Sequence, residues 1–253
     1  PLLLSGTRRA ALLISGDWEL EPYSEKVAEH YTLTLGRDVL VRAFRPLSPQ
    51  GTHHTLLKLS NLGVSQMLWG AGVGTNTLEL PPGVAVELPA GTTLVLELHV
   101  FNPSGEALSG RSGVEILEAD PNEVEHTANL VLAGPLQLDL PPNAESTAVG
   151  ICTVTAPQTL FALLPHMHQL GTHLKTTITR DGSARVLHDG AYDFEDQQVT
   201  LIEPIELEPG DQVVTECTFE NMSSATVGWG ESSNAEMCFS ILYRYPKQDD
   251  NGF

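Results

Sequence analysis

Basic residues are scarce in this chain: 13 Lys and Arg stand against 32 Asp and Glu, giving a net charge of −19. A nucleic-acid binder neutralises phosphates with basic patches, so that class is excluded. Docking on an anionic membrane is disfavoured on the same ground. An acidic field attracts cations, copper ions and amines among them, although its commonest consequence is solubility. Cysteine is also rare. Cys152, Cys217 and Cys238 allow one pair and one leftover thiol, and the absence of C-x-x-C removes zinc-knuckle and thioredoxin-type readings. No apolar run is long enough to span a membrane as a helix. The longest uncharged stretch, Ser146 to Leu174, is interrupted by Thr, Gln, Pro and His and reads as strands and turns. The first residue is Pro, not Met, so the expectation is a trimmed N-terminus from which a signal peptide could have been removed. A disulfide pair in an extracytoplasmic protein, secreted or periplasmic, is the expectation, and three buried free thiols in a cytosolic protein are the ordinary alternative.

Helical periodicity is nearly missing too, with Ser24–Glu29 the sole candidate turn of helix. The period is two almost everywhere. In Thr93–Phe101, Leu94, Leu96, Leu98 and Val100 share one face, and Val95, Glu97, His99 and Phe101 share the other. Tyr31–Leu35, Val39–Phe44, Thr55–Leu59, Val84–Leu88, Leu136–Leu140, Leu174–Thr179, Val213–Phe219 and Phe239–Tyr243 are likewise strand-like. Turn residues punctuate them, among them Pro81-Pro82-Gly83, Pro89-Ala90-Gly91 and Pro209-Gly210-Asp211. Asp181-Gly182 between two strands is a type I′ hairpin signal. Many short strands with Pro/Gly turns predict an all-β chain of sandwiches or jelly rolls. A polar stretch at Asp120-Pro121-Asn122-Glu123 divides it into residues 1–121 and 122–253. Pro-Gly turns recur before strands in both parts, which hints at two similar sandwiches without a repeat of sequence.

Against this background three histidine clusters stand out. His166 and His168 are two residues apart on an apolar strand, so alternation turns both rings, with Leu164, to one face. Such a pair chelates, although surface histidines at this spacing are common. Pro165 marks a strand edge or end. Met237 alone reads as core. Cys238 beside it and Cys217 on an earlier strand add interest, because a Cys217–Cys238 disulfide would pin the strand and the direction of the thioether. His53 and His54 are neighbours and would face opposite ways on a regular strand. They meet at one ion only at a strand end or bulge, which Gly51-Thr52 allows. His99 supplies a third imidazole. Five imidazoles and one thioether suit copper cycling between Cu(II) and Cu(I), and no calcium or magnesium site uses that set. Three imidazoles alone suit zinc as well.

The chain resembles the type II copper, ascorbate-dependent monooxygenases from about Asp17 to Pro246. The resemblance is carried by Thr52-His53-His54-Thr55-Leu56-Leu57, Leu68-Trp69-Gly70-Ala71-Gly72 and Leu96–Pro103 in the first half. In the second it is carried by His166-Met167-His168-Gln169-Leu170-Gly171, Pro209-Gly210-Asp211 leading to Cys217, Ala225–Gly230, Glu236-Met237-Cys238 and Tyr243-Arg244-Tyr245-Pro246. It implies two eight-stranded antiparallel jelly-roll domains, each with a copper, facing across a cleft. It implies that His53, His54 and His99 hold an electron-transfer copper, and that His166, His168 and Met237 hold the catalytic copper that binds O2. The implied reaction inserts one oxygen atom into an aliphatic C–H bond, with ascorbate as the reductant. Trp69 and Gly70 also have a plain packing role.

The chain departs from the peptide-amidating members of that family. Where they bind a substrate carboxylate, Leu164, Phe239 and Ile241 stand here. The expected substrate is therefore small and hydrophobic or aromatic. Glu97, on the face of His99, either meets an amine or orients an imidazole. The first half has no cysteine, and Cys152 is expected to remain an unpaired thiol. His30, His126, His173 and His188 read as surface residues. A copper-binding or copper-delivery protein on the same scaffold is the alternative, and a structural sandwich with surface histidines is a third reading.

Overall fold

The computed structural model describes residues 11–61, 64–72, 74–230 and 234–248, with backbone alone at 27–29, 61 and 64–66. Pro1, on which the trimmed N-terminus rests, lies outside them. The described residues form strands joined by turns, with one 3-10 turn at Pro121–Glu123. Asp120 caps that turn by accepting the Asn122 amide at 2.9 Å. The chain divides into two compact units, Pro1–Ala71 with Asn76–Thr127, and Gly72–Thr75 with Ala128–Phe253.

In unit 1 the strands are β1 (Ala11–Leu20), β2 (Ser24–Thr34), β3 (Val39–Leu47), β4 (Thr52–Asn61), β5 (Val64–Gly72), β6 (Leu78–Glu79), β7 (Val84–Leu88), β8 (Thr93–Asn102) and β9 (Leu108–Glu118). One antiparallel layer runs β1-β9-β3-β7, with β6 also on β3, and the other runs β2-β8-β4-β5. The alternation of β8 explains the second layer. Leu94, Leu96, Leu98 and Val100 are fully buried, each such side chain contributing about 1.5–3 kcal/mol. Phe44 of β3 stacks on Trp69 of β5, ring centroids 6.1 Å apart, so the two layers share one core.

In unit 2 the strands are β10 (His126–Ala133), β11 (Asp139–Leu140), β12 (Ala144–Thr153), β13 (Gln158–Met167), β14 (Gly171–Arg180), β15 (Ser183–Ala191), β16 (Thr200–Leu207), β17 (Gln212–Asn221), β18 (Val227–Gly228) and β19 (Cys238–Tyr245). Its layers run β10-β19-β13-β16 and β12-β17-β14-β15, while β11 pairs with β18. Leu160, Leu163 and Leu242 of one layer pack with Ile178 and Val213 of the other. Within this core a chain of buried hydroxyls links Thr176, Ser240 and Thr215, and Thr215 donates to the Ala133 carbonyl. Asp181 and Gly182 take φ of 50° and 78° and close the β14–β15 hairpin, as the Asp-Gly pair predicts.

The two units repeat one plan at a constant spacing of 119 residues. Thr52–Asn61 recurs as Gly171–Arg180, Val64–Gly72 as Ser183–Ala191, and Thr93–Asn102 as Gln212–Asn221. The last two strands have identical alternation of buried and half-buried positions. Both end in a buried asparagine with the same bonds. Asn102 accepts from the amide and hydroxyl of Ser104 and donates to the Glu106 carbonyl. Asn221 does so with Ser223 and Ala225. The turns before them match too, Gly91 donating to Leu35 and Gly210 to Val154. The likeness lies in strand length and turn bonding, so it escapes a search for repeated sequence.

Two sequence expectations change. Ser24–Glu29 is part of β2, not a turn of helix, because pairing with β8 overrides its weak helical pattern. Leu136–Leu140 is strand only at Asp139–Leu140, and Leu136 is 73% exposed.

Candidate metal centres

His53 and His54 lie on β4 and His99 on β8. The β4–β8 register shifts between Thr52 and His54, so His54 stands directly across from His99 and His53 occupies the extra position. Gly51, at φ 95°, permits the entry into that bulge, where a side chain would also run into Trp18. The bulge converges three rings. Centroids are 4.7 Å apart for His53 and His99, and 4.8 Å for His54 and His99. One nitrogen from each ring lies within 4.8 Å of the others. His53 Nδ1 and His54 Nδ1 are 3.2 Å apart, the separation of two nitrogens that each sit about 2.0–2.1 Å from one ion. His99 Nε2 is buried with no hydrogen-bond partner, and the nearest carboxylate, Glu25, is 3.5 Å away. An orphaned buried nitrogen in a nitrogen-only set fits a copper-sized cation.

His166 lies near the end of β13, and His168 directly follows it. Both face away from the core of unit 2, since Leu163 and Met167 point into it. Pro165 sits inside β13. Pairing with β16 has ended at Leu163, so the missing N–H falls where that side is open. Each imidazole is anchored through Nδ1. His166 Nδ1 donates to Gln197 Oε1 at 2.8 Å, and His168 Nδ1 donates to the Ala235 carbonyl at 2.9 Å. Gln197 Nε2 donates to the Phe194 carbonyl, which sets the amide's orientation. These bonds put the proton on Nδ1 and leave Nε2 as the lone-pair nitrogen, the state a metal requires. Burial holds the His166 pKa down to about 4, so the ring is neutral near pH 7. The ring centroids are 5.3 Å apart.

Met237 precedes β19. The β13–β19 ladder pairs His166 with Phe239 and Met167 with Cys238, so one step further brings Met237 across from His168. A disulfide joins Cys217 to Cys238 and ties that strand to β17, while Cys152 is free. Two anchored imidazoles and a thioether across one ladder end are a donor set that fits copper.

Leu164 pairs with Ile241 and His166 with Phe239, so all four share one face. Leu164, Phe239 and Ile241 are buried. Glu97 is held by Lys58 at 2.9 Å and by His30 at 3.0 Å. Burial raises its pKa, but those two bonds outweigh it and keep the carboxyl below its usual value. His173 pairs with Asp189 at 3.0 Å.

Sequence reasoning missed Gln197, Ala235 and the role of Glu236. Gln197 is in an irregular stretch with no motif, and Ala235 acts through its carbonyl. Glu236 could have been noticed as an acidic residue beside a core strand. Thr75, from the short segment grouped with unit 2, donates to the Gln197 carbonyl at 3.4 Å.

The family model for the copper type II ascorbate-dependent monooxygenase C-terminal domain matches residues 127–252. The human putative DBH-like monooxygenase protein 2 is 27% identical over 208 residues, covering 73% of this chain and 41% of that protein. Human DBH-like monooxygenase protein 1 is 27% identical over 220 residues, covering 77% and 35%. Dopamine beta-hydroxylase of Equus caballus is 28% identical over 176 residues, covering 61% and 28%. The chain thus spans less than half the length of these relatives. Among solved structures, a peptide-N(4)-(N-acetyl-β-D-glucosaminyl) asparagine amidase covers 91% of this chain and 95% of its own at 11% identity and a TM-score of 0.40, too low to carry an argument.

Proposed function

Because the chain belongs to the copper type II ascorbate-dependent monooxygenase family, we propose that it hydroxylates an aliphatic C–H bond of a small hydrophobic or aromatic substrate. O2 is the oxidant and ascorbate, or a similar one-electron donor, the reductant. The observation that carries the reading is the pair of anchored imidazoles, His166 and His168, facing Met237 across the β13–β19 ladder.

Residues 1–121 would form the electron-transfer domain and 122–253 the catalytic domain. The strand orders support a jelly roll in each, because in both units eight strands divide between two four-stranded layers in the same order along the chain. His53, His54 and His99 would hold one copper. Three fixed imidazoles accept either oxidation state with little rearrangement. His166, His168 and Met237 would hold the second, and the thioether favours the reduced state while the small donor count leaves room for O2. Bound copper supplies the one-electron steps and the activation of O2. Gln197 and the Ala235 carbonyl keep each ring's proton on Nδ1 and its lone pair on Nε2. Leu164, Phe239 and Ile241 put apolar surface beside the second set and offer no partner for a carboxylate, which favours an apolar substrate. The Cys217–Cys238 disulfide fits an exported location.

The test is copper content together with substrate-dependent O2 uptake in ascorbate, screened over amines, phenylalkyl compounds and hydrophobic acids. Two coppers per chain and coupled hydroxylation are expected. Met237→Ile should retain the fold and lose hydroxylation. Two coppers without turnover on any substrate would favour a copper carrier instead.

A further inference from the structure

Glu236 is wholly buried and directly precedes Met237. Its Oε2 accepts the amide N–H of His168 at 2.9 Å and that of Met237 at 3.3 Å, while Oε1 accepts the amide of Leu170 at 2.6 Å. Among the described residues no cation contributes to its environment, and burial outweighs the three amide bonds and raises its pKa. A buried carboxylate is costly unless its oxygens are bonded, and here every bond goes to main chain. Its two oxygens meet three N–H donors, so both act as acceptors here.

Position makes this arrangement informative. The β13–β19 ladder ends at the Met167–Cys238 pair. One step beyond, where His168 and Met237 project, strand pairing no longer holds the two backbones together. The Glu236 carboxylate takes over at that point and bonds both amides. Leu170, its third partner, belongs to the turn in which the Gly171 amide donates to the His168 carbonyl. Three donors on two segments are thereby tied to one side chain.

We propose that Glu236 is a positioning residue for the second copper. Its carboxylate replaces the ladder beyond its end and sets the spacing between the His168 imidazole and the Met237 thioether. This rests on the copper reading of that set.

The experiment compares Glu236→Gln, Glu236→Asp and His168→Ala with the parent chain. Gln keeps the length but turns one acceptor into a donor facing amide N–H groups. Cu(I) titration against a chromophoric competitor should show the second site of E236Q weakened by about 10–100-fold, with the three-histidine site unchanged. X-ray absorption of the Cu(I) form should lose the Cu–S contribution. kcat should fall while the KM for reductant stays constant. E236D keeps both acceptor oxygens and shortens the reach, so it should weaken the site less than E236Q does. If the parent binds two coppers, H168A binds one, and E236Q matches the parent in affinity and Cu–S signal, the proposal is overturned while the copper reading stands. If H168A changes nothing, the copper reading itself fails. Should E236Q not fold, a folded E236D with parental affinity overturns the proposal. Loss of the fold in both variants also overturns it, because the carboxylate then serves folding alone.

Discussion

The two units share one strand plan and carry their histidines on different layers of it. In unit 1 the cluster lies on β4 and β8, in the layer β2-β8-β4-β5. In unit 2 it lies at the β13–β19 ladder, in the layer β10-β19-β13-β16. At a spacing of 119 residues, His53, His54 and His99 correspond to Thr172, His173 and Thr218. The bulge is kept as well: the β4–β8 register shifts between Thr52 and His54, and the β14–β17 register between Gly171 and His173. His54 stands across from His99, and His173 across from Thr218. Conversely, His166 and His168 correspond to Leu47 and Pro49. The scaffold therefore offers two places for a site, and a few side chains determine which is used.

The comparison breaks most plainly when one ligand is removed from each unit. His168→Ala should reduce hydroxylation to background and remove the Cu–S signal while the all-nitrogen copper remains. His99→Ala should do the reverse to copper content, retaining Cu–S and losing sustained turnover. Metal analysis and X-ray absorption on both variants check this, and loss of both ions from either variant would deny separate sites.

A sharper trial installs the missing ligands. Thr172→His with Thr218→His, beside the native His173, should raise copper content by one ion per chain. Failure to bind it would show that the shared bulge does not suffice.

Next in size is the disulfide, which belongs to unit 2 alone. Closing a loop of 21 residues stabilises a chain by about 3 kcal/mol. Cys217→Ala with Cys238→Ala should therefore lower unit 2 by about that amount and leave unit 1 unchanged, as seen by hydrogen exchange.

The smallest effect is on acid stability without metal. The His166 pKa is about 4 in the folded protein against an ordinary value of 6.5. Between those values the unfolded state binds the extra proton, so stability rises with pH through that window and falls on acidification. The loss should reach about 2–3 kcal/mol between pH 6.5 and pH 4 in denaturant titrations of the copper-free protein, and His166→Asn should flatten it.

Much of this was legible in the residues. Alternation in Thr93–Phe101 identified β8 and its buried face, because a half-exposed strand separates apolar from polar side chains with period two. Asp181-Gly182 identified a hairpin because few other pairs take two positive φ values. Cys217 and Cys238 are paired and Cys152 is free, as expected. Less was legible where an interaction depends on a distant partner. The sequence leaves Glu97 between an amine and an imidazole, and its actual partners, Lys58 and His30, stand on neighbouring strands. Ser24–Glu29 carries a local helical hint that strand pairing overrules. Gln197 and Ala235 carry no local mark at all.

By itself, then, the sequence determined the class of fold, the cysteines available to pair and the candidate ligand residues. Those depend on side-chain chemistry and on periodicities of a few residues. Only the tertiary structure decided that a bulge turns His53 and His54 together toward His99, that Gln197 and Ala235 fix the tautomers of His166 and His168, and that Glu236 joins two strand ends. Each of these is a bond between atoms far apart in the chain. Whether such atoms meet depends on register and on where a ladder stops, which no local window of residues contains.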